Sequence, residues 1–347
     1  MEKYLVTGAC GFTGSHICDI LSERGIPYRA TDLASADKQW LPRNCEFVPS
    51  DLTDPASLKT VLKGITIVLH PAAIFDWSAS EELLDAVNVQ GMENLCSAAK
   101  EEGVKRLVSW STSGVYGDQK FDRLPICEDY PVKPIDKYSI SKHRQDKIAL
   151  RFSQEEGLET TIIRPGIVYG PRSKYGAMQF FESFAMIPVV PIPVNFDVYK
   201  LGTVHVRDVA GAGIFVSTKP EAVGQIYAAV DSSDITIAGF WRHIAAAMNK
   251  PTIPIYLPPM LARTSGLIFA DILDFISKNI THKKPVVEKD PIKFFPISLD
   301  VSNQKIRDLG YKFEYNDVRI GVIETIDWMR NEGMMDKTIL QFLKENF

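Results

Sequence analysis

Tyr138 and Lys142 stand four residues apart in a stretch with helical patterning, which puts a phenol and an ammonium on one helix face. A phenol with an ordinary pKa of about 10 is a poor base at neutral pH, and an ammonium beside it favours the phenolate. Ser111-Thr112-Ser113 closes the strand that precedes this helix, so Thr112 brings a second hydroxyl to the same place. A proton acceptor, a cation that makes it competent and a hydroxyl that holds an oxygen are equipment for proton transfer at an alcohol or carbonyl. A surface pair has the same Tyr-x-x-x-Lys spelling, so the upstream sequence must decide.

Upstream, Lys3 to Thr7 is a short apolar strand running into Gly8-Ala9-Cys10-Gly11-Phe12-Thr13-Gly14. A helical pattern follows at once, from Phe12 to Arg24, with Phe12, Ile17, Ile20 and Leu21 apolar and a stop at Gly25. Gly8 permits a tight turn, Gly11 lets backbone N–H groups approach a pyrophosphate, and Gly14 lets the helix lie close to the strand. Asp32 ends the next strand, Ile26 to Thr31, 24 residues after Gly8. A carboxylate there accepts hydrogen bonds from the adenosine ribose and repels a 2′-phosphate, and Leu33-Ala34-Ser35 follow with no arginine. The expected cofactor is therefore NAD rather than NADP; an Asp32 that merely opens a turn is the plain alternative.

The elements that must position these groups alternate along the chain. Glu46-Phe47-Val48 is a strand, Asp54-Pro55 starts a helix, and Ile65 to His70 is a strand ending in His70-Pro71-Ala72-Ala73. The small residues Pro71, Ala72 and Ala73 let the chain pass beneath the cofactor, Asp51 is free to face the adenine, and His70 reads as structural. A helix over about Glu81–Glu102, a strand at Leu107 to Trp110, the helix carrying Tyr138 and ending near Gly157, and a strand at Thr160 to Arg164 complete the rhythm. This is an α/β chain with a doubly wound parallel sheet, the Rossmann arrangement. Residues 118–136 are a proline-rich excursion. Residues 1–170 form the dinucleotide-binding domain, completed by about 204–234 through a helix from Val206 to Ser217 and a strand at Gln225–Ala229. The substrate-binding region comprises about 171–203 and 235–347. It holds a helix at Tyr175 to Met186, an apolar loop at Ile187 to Pro193, a helix at Phe240 to Met248 and an amphipathic tail at Val318 to Asn331. Leu261 to Ile280 carries an apolar stripe broken by Arg263, Asp271 and Asp274. It packs on its own domain, forms a dimer face or lies on a membrane surface.

Composition narrows the field. The 347 residues carry a formal charge of −4 and no Lys/Arg run, which excludes a non-specific nucleic-acid surface. Five cysteines without close paired spacing read as reduced thiols of a cytoplasmic protein, with no metal site. Neither a leader before the first strand nor an 18-residue apolar run is evident.

Taken together, the sequence resembles the extended short-chain dehydrogenase/reductase family. The signature Thr7-Gly8-Ala9-Cys10-Gly11-Phe12-Thr13-Gly14 is met, and Asp51-Leu52-Thr53-Asp54 matches the adenine-side motif. His70-Pro71-Ala72-Ala73 matches the strand-four motif, Asn88 the structural asparagine, and Arg164-Pro165-Gly166 with Val168-Tyr169-Gly170-Pro171 the stretch beside the nicotinamide. The resemblance implies Thr112, Tyr138 and Lys142 as catalytic residues. It implies Gly8, Gly11, Phe12, Thr13, Gly14, Asp32, Asp51, Leu52, Pro71, Ala72, Ala73, Asn88, Tyr138, Lys142, Pro165 and Val168 as the NAD site.

Within that family the 3β-hydroxysteroid dehydrogenase type is most similar, judged by Val204-His205-Val206-Arg207-Asp208-Val209-Ala210 and by Leu257-Pro258-Pro259 before an apolar helix. Two departures bear on substrate. Thr112 stands where serine is commoner, and Ser113 stands where dehydratase relatives place an acid. Residues 173–203 contain only Lys174 and Lys200 as bases amid Phe180, Phe181, Phe184, Val190 and Ile192, which suits an apolar ligand unless those residues are core. The expected activity is reversible hydride transfer at a secondary alcohol or ketone of a sterol- or lipid-like substrate. Nucleotide-sugar 4-epimerisation or reduction, and a non-catalytic nucleotide-sensing role, are the alternatives. A homodimer through the helices about Glu81–Glu102 and Asp136–Gly157 is implied, with Leu84, Val87, Ile148 and Leu150 as outward candidates.

Overall fold

The structure is a computed structural model that describes residues 2–118, 122–276 and 297–336. Its centre is β1 (Tyr4–Thr7), which pairs in parallel with β2 (Tyr28–Thr31) on one side, Tyr4 opposite Tyr28. Beyond β2 lies the short β3 (Glu46–Phe47). On the other side of β1 come β4 (Ile67–His70), β5 (Arg106–Trp110), β6 (Glu159–Pro165) and, at the edge, the strand Ile226–Ala229. All seven strands are parallel.

Alternation explains why these strands read as continuous apolar runs. Leu5, Val68, Leu107 and Ile162 face one side of the sheet, where they pack with Leu58, Leu62, Leu95, Ala149 and Phe152. Their neighbours Val6, Leu69, Val108 and Ile163 face the other, packed with Ile17, Leu21, Val209, Ala212 and Val216. The first layer comprises α2 (Pro55–Leu62), α4 (Gly91–Glu101) and α5 (Lys137–Glu155); the second comprises α1 (Phe12–Glu23) and α7 (Val206–Ser217). A sheet covered on both faces favours apolar residues along the whole of each strand.

A second core joins α6 (Met178–Met186), α8 (Ile237–Ala247) and the helix Val318–Asn331 through Phe181, Phe184, Phe196, Phe240, Ile244, Val322 and Ile326. Several expectations are corrected here. Ile187 to Pro193 is not simply a loop: the strand Val190–Pro193 pairs in parallel with the strand Thr252–Ile255. The helix expected from Tyr175 starts at Met178, because Gly176 takes φ +61°, outside the helical range. The single helix about Glu81–Glu102 is α3 (Glu81–Leu84), one π-helical stretch (Asp85–Gln90) and α4. The excursion at 118–136 is tethered, since the Ile126 amide donates to the Asp300 carbonyl at 2.7 Å. The apolar stretch 261–280 begins inside α9 (Pro259–Ile276), and residues 277–280 lie outside the described residues. No helix among the described residues is long and apolar enough to cross a membrane.

Candidate active site

The local sequence places the site's central helix with little ambiguity. Asp136 caps α5 by accepting the Ser139 amide at 2.8 Å, and Gly157, at φ +77°, follows its end. The face that α5 buries contains Ser141, Lys142, Gln145 and Asp146, followed by Ala149 and Phe152. A helix ordinarily buries an apolar stripe. Here only the second half does so, and in the polar first half Ser141, Lys142, Gln145 and Asp146 are hydrogen-bonded.

Lys142 is 1% exposed, and its Nζ donates to Gln145 Oε1 at 2.6 Å. Gln145 Nε2 donates in turn to Ser109 Oγ at 2.6 Å. Asp146 accepts from Ser111 Oγ at 2.9 Å and from Arg164 Nη2 at 3.0 Å. The strand ends of β5 and β6 thus supply a layer of hydrogen-bonding groups behind the helix. Burial pulls the Lys142 ammonium down to about 8, with the Asp146 charge opposing it. Burial pushes the Tyr138 phenol above its usual range, and the Asp136 and Asp146 carboxylates add to that. The expected depression of Tyr138 by Lys142 is not the balance found here: the ammonium is engaged by Gln145, and desolvation dominates at the phenol.

Thr112 Oγ1 accepts the Gly114 amide at 3.0 Å, capping a tight turn, and keeps its own O–H to donate. Around Tyr138 stand aromatic rings edge-on: Phe75 at 4.8 Å between centroids and Trp77 at 5.8 Å, with Tyr175 at 6.0 Å from Phe75.

The turn between β1 and α1 is shaped by close contact. Gly8 has φ +57°, and a Cβ there would lie 2.9 Å from Ala72 Cα; one on Gly14 would lie 2.0 Å from the Gly8 carbonyl oxygen. The N-terminus of α1 has no side-chain cap, so the amides of Phe12 and Thr13 are suited to an anion. Asp32 Oδ2 accepts the Cys10 amide at 3.0 Å, which ties the tip of β2 to the glycine turn. A glycine cradle, an open helix terminus and a carboxylate at the second strand fit a dinucleotide.

Residues 4–229 match the sequence profile of the NAD dependent epimerase/dehydratase family. The chain belongs to that family. It is 27% identical over 307 residues to UDP-glucose 4-epimerase of Vibrio cholerae, covering 84% of this chain and 91% of the relative. It is also 27% identical over 328 residues to 3-beta-hydroxysteroid dehydrogenase of Mycolicibacterium neoaurum, covering 90% of this chain and 87% of that one. Among solved structures, UDP-glucose 4-epimerase of Thermus thermophilus in complex with NAD superposes with a TM-score of 0.72 at 25% identity, over 94% of this chain and 99% of that one.

As a family member the protein is an NAD-dependent enzyme of the extended short-chain type, and the residues expected at its site divide by what they touch. Gly8, Gly11, Phe12, Thr13, Gly14 and Asp32 form the turn just described, with the Gly11 amide donating to the Gly8 carbonyl at 3.0 Å. Pro71, Ala72 and Ala73 are half-buried beyond β4, Ala72 against Gly8. His70 is buried and its Nδ1 bonds Thr7 Oγ1 at 2.8 Å, joining two strand ends. Asp51 Oδ1 is engaged by the Thr53 amide and hydroxyl, and the Leu52 carbonyl accepts from Asn94. Asn88, 1% exposed, turns its amide to the Ile74 backbone and to Ser141 Oγ, so it shapes the 71–75 segment. Pro165 ends β6 opposite Ala229, and Val168 pairs with Val204 in a small ladder against the main core.

Sequence reasoning passed over Gln145, Asp146, Ser109 and Ser111. The signal was present, because Gln145 and Asp146 follow Lys142 by three and four residues on the same face. The same reasoning left Phe181, Phe184, Val190 and Ile192 open between ligand and core; they are buried core, and the aromatic rings beside Tyr138 are Phe75 and Trp77, with Tyr175 against Phe75.

Proposed function

We propose that this enzyme interconverts a secondary alcohol and its ketone on a largely apolar, sterol- or lipid-like skeleton. In the oxidative direction Tyr138 takes the hydroxyl proton, Thr112 donates to the same oxygen, and Lys142 supplies the positive charge that favours the phenolate. NAD, when bound, supplies the hydride acceptor. In the reducing direction Tyr138 returns the proton to the oxygen.

The observation that carries the apolar reading is the aromatic wall in which Phe75 and Trp77 meet the Tyr138 ring and Tyr175 meets Phe75. Such a wall rewards hydrocarbon, at about 25 cal/mol per Å² of apolar surface removed from water, and leaves sugar hydroxyls without partners. A second support comes from the arginines of the substrate region. Arg172, Arg242, Arg263, Arg319 and Arg330 are each ion-paired with a carboxylate and Arg307 bonds the Ser232 hydroxyl, whereas a diphosphate needs cations open to it. Nucleotide-sugar 4-epimerisation is the second reading, favoured by the likeness to the Vibrio cholerae enzyme. A purely nucleotide-sensing role is disfavoured by the presence of Thr112, Tyr138 and Lys142 together.

The deciding experiment follows NADH absorbance with a panel of sterols, 3-oxo lipids and small phenolic ketones, and follows UDP- and GDP-sugars by chromatography. Turnover of bulky apolar alcohols is expected; turnover confined to nucleotide sugars overturns the reading. We further take the enzyme to act as a cytoplasmic homodimer. Leu84 is buried, Val87 is half-buried, and Ile148 and Leu150 are half-buried with one side on the sheet core; Leu83 and Ile140 are exposed on the same helices. Along α9, Met260, Leu261, Ile268 and Phe275 are exposed, which supports a peripheral lipid contact for that helix.

A further inference from the structure

Gln145 is wholly buried, and its amide is bonded at both ends by groups that have no other reason to converge. A buried ammonium carries three N–H donors and needs acceptors. Asp146 is engaged by Ser111 and Arg164, so its charge reaches Lys142 only through space. From β4, His70 faces the same ground, but burial keeps it neutral, the Lys142 charge disfavours its protonation further, and its Nδ1 is engaged with Thr7. The acceptor at 2.6 Å is the Gln145 carbonyl. Its sense is fixed from behind: with Nε2 donating to Ser109 Oγ, the oxygen points at the ammonium, and the reverse arrangement would set NH₂ against a cation.

We propose that Gln145 is a positioning residue for Lys142, its amide anchored on Ser109 of β5 so that the ammonium stays charged and aimed. This rests on the reading of Lys142 as the catalytic lysine. A neutral amide suits the task. It stabilises the cation by a charge–dipole contact yet leaves the positive charge uncancelled for Tyr138, whereas a carboxylate in its place would neutralise it.

The test reads Lys142 directly and needs neither substrate nor turnover. In protein labelled with ¹³C-lysine, the Lys142 ε-carbon resonance is assigned with Lys142→Arg and followed against pH. Gln145→Leu is expected to lower the Lys142 midpoint by about one pH unit, and Gln145→Glu to raise it by about as much. Ser109→Ala, which frees the amide, is expected to fall between wild type and Gln145→Leu. NAD affinity of Gln145→Leu at pH 7, by calorimetry, is expected to drop by about fivefold. An unmoved Lys142 midpoint overturns the proposal even where turnover falls, since loose packing alone lowers turnover. Should Gln145→Leu fail to fold, Ser109→Ala decides: a lowered midpoint supports the proposal and an unchanged one overturns it. A moved midpoint together with full activity of Lys142→Ala upholds the coupling and removes the catalytic assignment instead.

Discussion

The ring of Phe75 stands edge-on to that of Tyr138, with centroids 4.8 Å apart and planes at 75°. Trp77 and Tyr175 both lean on the same Phe75 ring, so it is the centre of the aromatic cluster beside Tyr138. Phe75→Ala is expected to raise KM for an apolar substrate by about tenfold, with kcat changing less, because the loss is of binding surface and not of a reacting group. Phe75→Leu should recover most of it. Initial-rate kinetics check this, and an unchanged KM would count against the wall.

Tyr138→Phe removes only the transferable proton. Turnover is expected to fall by about 10²–10⁴-fold while NAD affinity stays near normal. Lys142→Ala should lose both, Thr112→Ala should be severe and Thr112→Ser mild. Because burial pulls Lys142 down to about 8, it is charged below that pH and neutral above. Activity is therefore expected to decline above pH 8 as the cation that favours the phenolate is lost, a trend visible in a kcat–pH profile.

Cofactor choice depends on the Asp32 carboxylate, which also accepts the Cys10 and Leu33 amides. Asp32→Ala would therefore disturb the loop as well as the charge. Asp32→Asn keeps the side chain's size and one of its two acceptors while removing the charge, so it is the cleaner probe. NAD is expected to bind markedly better than NADP, and Asp32→Asn should narrow the gap by about tenfold. Calorimetric titration of both nucleotides decides it.

Stability should fall on acidification. His16, His70 and His205 are buried, and burial holds each down to about 3. In the unfolded chain they bind protons near about 6.5, so the stability they confer is complete above that pH and is lost progressively toward about 3. Asp208 and Asp231, pushed up to about 6 by burial, act in the opposite sense between about 4 and 6, because the folded form holds their protons more tightly. With the lowered His143 and His243 and the raised Asp19 and Asp146 included, five groups against four leave a net loss, bounded by about 1.4 kcal/mol per pH unit for each uncompensated group. Scanning calorimetry from pH 8 to 5 should show Tm falling, and His205→Gln should flatten the slope.

The dimer reading turns on Leu83, 46% exposed, and Ile140, 43% exposed. Light scattering at micromolar concentration should report a dimer, and Leu83→Glu with Ile140→Glu should yield a folded monomer. A wild-type monomer would remove the reading.

The parallel sheet was legible because its strands are apolar on both faces, and the helices Val206–Ser217 and Val318–Asn331 have the ends that the periodicity indicates. The pairing of Val190–Pro193 with Thr252–Ile255 was not. Pro191, Pro193 and Pro254 lack the amides that a ladder uses, and such residues read as loop until a two-stranded ribbon accommodates them. Phe181 and Phe184 illustrate a second limit: an apolar helix face looks the same whether it lines a pocket or meets another helix. At the site, Tyr138 and Lys142 announce themselves by spacing. Gln145 does not, because a buried amide on a helix is spelled like an exposed one until its neighbours Lys142 and Ser109 are in place.

The π-helical stretch at Asp85–Gln90 has an evolutionary corollary. A π turn accommodates one residue more than an α turn, so the helix from Glu81 to Glu101 reads as an α-helix that has absorbed an insertion without breaking. Removing a residue here would leave the hydrogen-bond ladder free to close as plain α-helix, while rotating Asn88 by about 100° away from Ile74 and Ser141. Length variation at this point would therefore be tolerated by folding and penalised by catalysis. Among homologues that keep the chemistry, the helix is expected to vary in sequence but not in length between the positions of Ser80 and Leu95.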